Sequence, residues 1–547
     1  MRVVKLLVFF LLISLEGISQ ISFDYYLVEF TDKNDSPFSL DQPEAYLSER
    51  AIARRTKFGI DITEQDFPVN PQYVQAVKEI GVKIVQPCKW FNSIVIKTSD
   101  SDKLAQVMAL PFVKKVLRNE EGAKKPEELI ISKPAQQSPS RDYNSLDYGA
   151  AFSQIAMLKG IGLHNDGFQG QGISIAVLDG GFSKANLMTV FDSLRANNQI
   201  KGTLNLVGGG TYVYQGHVHG SYVLSILAAN LPGIMVGTAP KADYYLIRTE
   251  DTNGESLLEE YNWVTGAAYA DSAGVDIISS SLSYLLSSDP NTDLTYEQLD
   301  GKTAPASIAA DIATSKGMIV VVSAGNNGEN ANWPWVGFPG DADSVLTVGA
   351  TDAHGIRSPF SSIGPTYDGR TKPDVMARGE GTVVMQSDNI LGSGDGTSFS
   401  APLIAGLTAC LWQANPELRN TEILSAIKMS STQFDNPNQL MGYGVPDFSS
   451  AMAMLSSKGL AANEENGLKQ ISFVFKKLGA IQLPASASFL DIMLFDLNGN
   501  PVYEKTGLEL TSPKEIELKD FPELPNGFYL LKINSGAQIF TKKIIKL

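Results

Sequence analysis

The stretch ISIAVLDGG, from Ile173 to Gly181, joins an almost unbroken apolar run to a carboxylate and two glycines. Such a run is typical of a strand buried on both faces of a sheet. Similar runs follow, separated by stretches of helical composition: DYYLIRT, VDIISSSL, MIVVVSAGN and SVLTVGA. Residues 145–457 are therefore predicted to form a parallel α/β sheet covered by helices on both faces. Because these sheets bind ligands at the carboxyl ends of their strands, Asp179 becomes a candidate site residue.

Composition narrows the class of protein. The chain has 547 residues, more than one ordinary core holds, so several domains are expected. Its hydrophobic content of 43% and charged content of 19% are typical of a globular protein. The formal charge of −15 argues against general binding of nucleic acid or of anionic membranes, since both need a basic surface.

The first 20 residues have the pattern of a secretory signal peptide. Arg2 and Lys5 precede the apolar core LLVFFLLISL, and small residues follow it. No later apolar run approaches the ~20 residues of a membrane span, so the mature protein is expected to be exported and soluble. Cys88 and Cys410 are the only cysteines, and they fall in different predicted domains, which argues against a disulfide scaffold. Two cysteines are too few for a zinc site built from cysteines.

Two smaller domains are predicted on either side of the sheet. Residues 21–120 are predicted to be α+β, with strands at DYYLVEF and NSIVIKT and helices over PEAYLSERAIARRTKFG and SDKLAQVMALPFVKKVLRN, the second interrupted at Pro111. Residues 121–144 are polar and contain proline, which predicts an exposed linker. Residues 458–547 are strand-like, with a hairpin signal at Asn498-Gly499, and are predicted to form a small β-sandwich.

Several polar residues of the central domain could carry chemistry. His217 and His219 stand two residues apart, either as metal ligands or as one base and one bystander. Ser398 precedes an apolar helix, where it could be an N-cap or a nucleophile favoured by the helix dipole. Asn326 could be a turn residue or a donor to an oxyanion. Asp179 could equally be an ordinary loop cap.

Taken together, the motifs resemble those of the subtilisin family of serine peptidases. VLDGGF, HGSYVLSILAA, GTAP, SLS, AGNNG, FSSIGP, KPDVMARG, GTSFSAP and GYGVPD occur in the family's order over roughly 300 residues. The resemblance implies that Ser398 is the nucleophile, His219 the base and Asp179 the residue that orients it. It also implies that Asn326 donates a hydrogen bond to the oxyanion.

The family pattern of a histidine followed by glycine fits His219 and leaves His217 as a bystander. Family members usually carry a second histidine three residues after the first, and Tyr222 stands there in this chain. The other histidines, His164 and His354, are distant in sequence, so a metal site at His217 and His219 would need further ligands.

The resemblance also implies where a peptide would bind. SLS and SAG resemble the segments that flank the peptide and its first specificity pocket, and VGFPG resembles the floor of that pocket. A glycine at the floor predicts a roomy pocket and a preference for large apolar side chains, and Asn327 gives no reason to expect a basic preference. The implied residues are Ser281, Leu282, Ser283, Ser323, Ala324, Gly325 and Gly337.

The flanking domains have their own resemblances. Residues 21–120 look like a peptidase propeptide, which in relatives acts as a folding template and inhibitor. The C-terminal stretch LPNGFYLLKINSGAQIFTKKIIKL resembles the type IX secretion sorting domain of Gram-negative bacteria. The alternative for this domain is a β-sandwich binding module.

The sequence thus predicts a secreted or surface-attached serine endopeptidase that acts through an acyl-enzyme. Its implied partners are a peptide or protein substrate, its own propeptide and the type IX secretion machinery. Two other classes remain open: a non-catalytic surface binding protein of the same fold, and a metallohydrolase using His217 and His219, although no H-E-x-x-H motif accompanies them. No cofactor is identified. Relatives often bind calcium, but no loop here has convincing ligand spacing.

Overall fold

The computed structural model describes residues 24–119, 122–123, 131–132, 146–251, 254–285 and 295–462, and the C-terminal strands within 480–546. The predicted signal peptide lies outside these residues. The chain divides into two compact units, Met1–Met452 and Ala453–Leu547. The first unit contains an N-terminal subdomain, residues 24–119, and a central domain, residues 146–452.

The N-terminal subdomain is an antiparallel sheet with three helices. Its strands have the order β2-β3-β1-β4, with β1 at Asp24–Phe30, β2 at Lys83–Cys88, β3 at Ser93–Thr98 and β4 at Val113–Asn119. Its helices are α1 (Glu49–Phe58), α2 (Pro71–Glu79) and α3 (Ser101–Met108), with short 3₁₀ turns at Pro43–Ala45 and Glu64–Asp66. The predicted strands DYYLVEF and NSIVIKT are therefore present.

Two predicted helices of this subdomain are shorter than expected. The Ser48 side chain caps the first turn, so α1 begins at Glu49 rather than at Pro43, and it ends before Gly59 in the left-handed conformation, as predicted. The prediction of one helix over residues 101–119 is wrong beyond Met108. Pro111 prevents its continuation, and Val113–Asn119 pairs with β1 instead, Leu117 opposite Leu27.

The central domain is built on a seven-stranded parallel sheet of order β16-β15-β14-β13-β7-β11-β8. This confirms the predicted sheet. Its strands, with the short pair β9 and β10, are β7 (Ser174–Asp179), β8 (Ile200–Asn205), β9 (Asn230–Leu231), β10 (Met235–Val236), β11 (Asp243–Arg248), β13 (Ile277–Ser280), β14 (Ile319–Ser323), β15 (Leu346–Thr351) and β16 (Val375–Arg378).

Helices cover the sheet. Alternate residues of β7, Ala176 and Leu178, pack into a core with α8 and α9, while α7 and α10 contact each other and the strands. All six residues of β7 are buried, which explains its unbroken apolar sequence. The helices are α4 (Phe152–Ala156), α5 (Ile161–Asn165), α6 (Asp192–Ala196), α7 (His219–Ala228), α8 (Leu257–Ala273), α9 (Pro305–Ser315), α10 (Thr397–Ala414), α11 (Asn420–Met429) and α12 (Phe448–Ala462), with 3₁₀ turns at Thr189–Phe191 and Tyr296–Gln298.

The strand order reverses direction at β7. From β7 the chain moves outward to β8, returns through β11, and then continues on the other side of β7 with β13. In open α/β sheets a ligand site lies outside the carboxyl ends of the strands at such a switch point. Asp179, the last residue of β7, stands at that position.

Parts of the predicted linker form short strands. Strand β5 (Gly122–Ala123) pairs with β12 (Gly254–Glu255), which directly precedes α8. Strand β6 (Ile131–Ser132) joins the hairpin of β17 (Thr382–Met385) and β18 (Leu391–Gly394). The segment that follows the N-terminal subdomain therefore contacts the central domain at two places.

The C-terminal unit contains two small sheets. A four-stranded antiparallel sheet has the order β21-β20-β23-β24, and β19 pairs with β22. The predicted hairpin signal at Asn498-Gly499 lies outside the described residues, between the paired strands β20 and β21. The strands are β19 (Ala480–Gln482), β20 (Phe489–Phe495), β21 (Pro501–Glu509), β22 (Glu515–Glu517), β23 (Gly527–Asn534) and β24 (Ile539–Lys546).

The sheet of the N-terminal subdomain packs on α8. Its two faces carry different cores: Val28, Ile94 and Ile96 pack with α2 and α3, whereas Leu27 and Val95 pack against Tyr261 and other residues of α8. Two hydrogen bonds also fix the position of this sheet on α8. Gln86 Nε2 donates to Asn262 Oδ1 at 2.7 Å, and the Leu258 amide donates to Asn119 Oδ1 at 2.7 Å.

A buried cluster of charges also joins the N-terminal subdomain to the central domain. Arg54 and Arg55 reach the two carboxylate oxygens of Asp271 at 2.7 and 2.9 Å. Arg55 also contacts Asp66 at 2.8 Å, and Lys316 contacts the same carboxylate at 3.1 Å. Both carboxylates are completely buried. Charged residues of the N-terminal subdomain are thus paired with residues of opposite charge in the central domain: the two arginines with Asp271, and Asp66 with Lys316.

The cluster controls the ionisation of Asp271. Burial alone would raise the pKa of its carboxyl, but the charges of Lys89, Arg55 and Arg54 outweigh burial and lower the pKa below the usual value. The ionised Asp271 therefore stabilises the contact between the N-terminal subdomain and the central domain at pH values above the pKa of a separated aspartate, near 3.9. That contribution is lost as pH falls through the lowered pKa.

Asp271→Ala is expected to destabilise the unprocessed chain by about 3–5 kcal/mol, because it leaves buried cations without their carboxylate. The measurement is urea unfolding of the full-length chain carrying Ser398→Ala, which removes the nucleophile that the sequence analysis predicts. The midpoint should fall relative to the parent.

Asp192→Ala is the matched control. Asp192 forms an ion pair with Arg195 on the surface of the central domain, with 69% of its side chain exposed. Such pairs contribute about 0–1 kcal/mol, so the midpoint should hardly move. Equal midpoints for the two variants would contradict the role assigned to the cluster.

Candidate active site

The site begins with the contact between Asp179 and His219. Asp179 ends β7 and is fully buried, and His219 is the first residue of α7. Both carboxylate oxygens lie 2.9 Å from His219 Nδ1, and Oδ1 also accepts from the Gly180 amide at 2.8 Å. This arrangement fixes the orientation of the imidazole and favours the tautomer with hydrogen on Nδ1.

Gly220 allows the start of α7 to approach the end of β7. A methyl group added to Gly220 would lie 2.4 Å from the carbonyl oxygen of Gly181 and 3.0 Å from Cβ of Asp179. The first of these distances is too short for any real contact. Glycine at this position is therefore needed for the approach of His219 to Asp179.

His217 lies beside His219 without sharing its contact to Asp179. Its Nδ1 accepts a hydrogen bond from the His219 amide at 3.3 Å, and the two rings are 6.3 Å apart between centroids. The contact satisfies a backbone donor at the start of α7. In this contact His217 supports the backbone of the first turn of α7.

Ser398 is the second residue of α10 and lies in its first turn. Gly396, which directly precedes the helix, has a φ of +151°. Its hydroxyl donates to the Ser281 carbonyl at 3.2 Å, while the Ser281 hydroxyl donates to the Ser398 carbonyl at 2.8 Å. The ring of Phe399, the next residue, lies 5.8 Å from that of His219. The starts of α7 and α10 therefore meet at the same edge of the sheet.

Asn326 is held by Thr397, the neighbour of Ser398. The Asn326 Oδ1 accepts from both the amide and the hydroxyl of Thr397, each at 2.9 Å. The Thr397 hydroxyl in turn accepts from the Gly325 amide at 3.1 Å. With its oxygen fixed in this way, the Asn326 amide directs its nitrogen away from Thr397. Thr397 positions Asn326 through these hydrogen bonds, and the sequence analysis did not single it out although it stands inside the quoted motif GTSFSAP.

The segments predicted to bind substrate lie together beside Ser398. The Gly337 amide donates to the Ala324 carbonyl at 3.1 Å, and the Ser323 hydroxyl donates to the Leu282 carbonyl at 3.3 Å. A methyl group on Gly337 would lie 2.1 Å from Ser283 Oγ, so these two segments pack closely against each other at this residue. The roomy pocket expected at Gly337 stays a prediction.

Metal-binding and membrane-spanning features can be assessed only for the described part of the chain. Within it, no group of three or more His, Cys, Asp or Glu side chains is arranged to hold a metal ion. Within the same residues, every helix is too short or too polar to cross a bilayer. Cys88 and Cys410 are both buried and unbonded to each other.

Three family models match this chain. Residues 170–444, half of the chain, match the subtilase family. Residues 25–132 match the peptidase S8 propeptide domain of Bacteroidota, and residues 477–547 match the secretion system C-terminal sorting domain. The chain therefore belongs to the subtilase family and is a subtilisin-like serine peptidase. Its sorting domain indicates a secreted or cell-surface protein.

Characterised relatives agree with this family. Over 296 residues the chain is 29% identical to Subtilisin NAT of Bacillus subtilis subsp. natto, an alignment covering 53% of this chain and 68% of that one. It is 29% identical over 292 residues to a subtilisin of Bacillus pumilus, covering 53% and 92%. A solved structure of the MycP3 protease from the type VII (ESX-3) secretion system is 19% identical, with a TM-score of 0.47, covering 61% of this chain and 94% of that one.

Gly220→Ala is expected to reduce both stability and activity. The added methyl group would force α7 away from β7, at a cost of about 1–3 kcal/mol, and would lengthen the contact between Asp179 and His219. Thermal unfolding followed by circular dichroism, together with peptide hydrolysis, measures the two effects. Activity should fall at least about tenfold, because misplaced catalytic groups lose rate steeply.

Gly162→Ala serves as the control for a helical glycine. A methyl group there would meet only the tip of the Ser449 side chain, at 3.0 Å. Its unfolding temperature and activity should stay near those of the parent. A Gly220→Ala protein as active as this control would show that the close approach is not required.

Proposed function

We propose that this peptidase hydrolyses peptide bonds through a triad of Asp179, His219 and Ser398, with a covalent acyl-enzyme intermediate. The observation that carries the proposal is the contact of both Asp179 oxygens with His219 Nδ1 at 2.9 Å. It occurs at the sheet edge where α10 presents Ser398.

Ser398, His219 and Asp179 each have one role in the proposed reaction. A serine hydroxyl is a weak nucleophile at neutral pH and needs a base. Ser398 Oγ donates a hydrogen bond to the Ser281 carbonyl at 3.2 Å. In the reaction it turns to His219 and transfers its proton to the imidazole as it attacks the substrate carbonyl. His219 then gives this proton to the leaving amine. Asp179 keeps the imidazole oriented and stabilises its charged form. Water, activated by the same histidine, releases the acyl group.

Asn326 is proposed to stabilise the oxyanion. Its amide oxygen is fixed by two hydrogen bonds from Thr397, so its nitrogen is held in a defined direction before substrate binds. The Ser398 amide at the start of α10 is the second proposed donor. Donors that are oriented in advance lower the barrier because they need no reorganisation as charge develops.

The N-terminal subdomain is proposed to act as an inhibitory propeptide. It packs on α8 through an apolar core and a buried charge cluster. Its continuation pairs with β12 and, further along the chain, with β18, which ends four residues before Ser398. A chain held at β18, immediately before the turn that carries Ser398, would obstruct a substrate.

The C-terminal unit is proposed to direct export through the type IX secretion machinery of a Gram-negative host. The match to the sorting domain over residues 477–547 supports this. The predicted signal peptide would serve the first membrane passage.

Ser398→Ala and His219→Ala should each lower kcat about a million-fold, the loss seen when subtilisin loses either of these triad members. His217→Ala should keep activity within roughly tenfold, because the proposed mechanism gives the His217 side chain no chemical step. Hydrolysis of a chromogenic peptide measures these rates, and a small serine-directed inhibitor should add its mass to Ser398. An inactive His217 variant with an active His219 variant would reverse the assignment of the base.

The secreted enzyme is expected to begin between residues 120 and 150, because processing would separate the N-terminal subdomain there. N-terminal sequencing of the secreted protein tests this. The Ser398→Ala precursor, lacking the nucleophile, should accumulate unprocessed if the chain cuts itself. A secreted wild-type protein that begins near Ile21 would contradict the propeptide proposal.

A further inference from the structure

The side chain of His217 accepts a hydrogen bond at the start of α7. The first backbone amides of a helix have no partner within the helix, and Val218, the residue before α7, provides no side-chain cap. His217 Nδ1 accepts from the His219 amide at 3.3 Å. A ring nitrogen can accept only while it carries no proton. The contact therefore requires that Nδ1 of His217 is unprotonated.

The backbone of His217 is held against the loop that follows β7. Its amide donates to the Gly180 carbonyl, and its carbonyl accepts from the Ser183 amide, both at 3.3 Å. Gly181 and Gly216 form an isolated β-bridge between the same two segments. These contacts hold His217 between the end of β7 and the start of α7.

Two aromatic rings lie next to the imidazole of His219. The ring of His217 is 6.3 Å away and that of Phe399 is 5.8 Å away, each tilted by 34°. Phe399 carries no charge at any pH, whereas a histidine can gain one near neutral pH. A proton on His217 would therefore place a positive charge beside the imidazole that must itself become positive in the proposed reaction.

Charged groups on the neighbouring segments bear on the ionisation of His217. Arg248, at the end of β11, donates from Nε at 3.1 Å to the carbonyl that also accepts from the His217 amide. Lys184, in the loop after β7, has the same sign. Asp179 has the opposite sign, but both of its oxygens contact His219 Nδ1. The positive end of the α7 dipole adds to the arginine and lysine, so these groups together favour neutral His217.

We propose that His217 is a positioning residue that supports catalysis only while its own imidazole is neutral. The inference rests on the proposed function, because it takes His219 as the base. Protonation of His217 removes the acceptor for the His219 amide, and the new charge opposes proton transfer from Ser398 to His219. The acid limit of activity is therefore set by two coupled histidines rather than by the base alone.

Two substitutions separate the hydrogen bond from the charge. His217→Asn keeps an acceptor, because the amide oxygen of asparagine is as many bonds from the backbone as Nδ1 of histidine, but it does not titrate. His217→Ala removes the acceptor and the charge together. The full-length chains are produced and allowed to mature. Their kcat/KM on one peptide is measured from about pH 8 downward, as far as the circular dichroism of each protein stays unchanged.

At about pH 8 both variants should stay within roughly tenfold of the parent, with His217→Ala the slower because it lacks one hydrogen bond. Toward acid, the slope of log(kcat/KM) against pH should exceed one and approach about two in the parent, since either protonation stops the reaction. Both variants should show a slope of about one. At about pH 5 the parent should retain at least about threefold less of its pH 8 activity than His217→Asn.

His354→Asn is the control for the loss of a histidine. His354 is exposed in the turn after β15, where its amide donates to Asp352 Oδ1 at 2.8 Å. This variant should keep the steep acid slope of the parent.

The outcomes distinguish failure of this inference from failure of the proposed function. Equal slopes in the parent and in His217→Asn would overturn the role of His217. The rate at which a serine-directed inhibitor labels Ser398 over the same pH range repeats the comparison at the acylation step. Labelling of Ser398 with equal slopes would overturn the role of His217 alone, whereas a mature parent whose Ser398 is not labelled at any pH would overturn the proposed function as well.

Discussion

The close approach of α7 to the end of β7 is the constraint on which the site depends. A buried carboxylate is costly unless it is hydrogen-bonded, and Asp179 meets this requirement through the imidazole of His219 and the Gly180 amide. Only a residue without Cβ can follow His219, because the Gly181 carbonyl occupies the space beside Gly220. The position of the histidine is thus set by backbone packing as much as by its own hydrogen bond.

Much of the central domain could be predicted because strands that are buried on both faces of a sheet have unbroken apolar sequences. Strand β7 shows no alternation since both of its sides are covered by helices. The position of Asp179 followed from that strand alone. The choice of His219 over His217 needed the family resemblance, and the hydrogen bond from the His219 amide to His217 has no sequence signal.

The errors arose where long-range contacts decide the local structure. Residues 113–119 became a strand because β1 offers a free edge next to them, an influence absent from their own composition. The predicted linker contains two-residue strands whose partners lie more than 100 positions away. The buried charges around Asp271 could not be paired from sequence, because Arg54 and Asp271 are 217 residues apart.

The hydrogen bonds of Thr397 to Asn326 and Gly325 have a mechanical consequence. They fasten the loop after β14 to the first turn of α10, so the proposed oxyanion donor and nucleophile belong to one rigid piece. His219 belongs to another helix, fastened to β7 instead. Thermal fluctuations of the loop after β14 would therefore leave the spacing of Asn326 and Ser398 nearly constant.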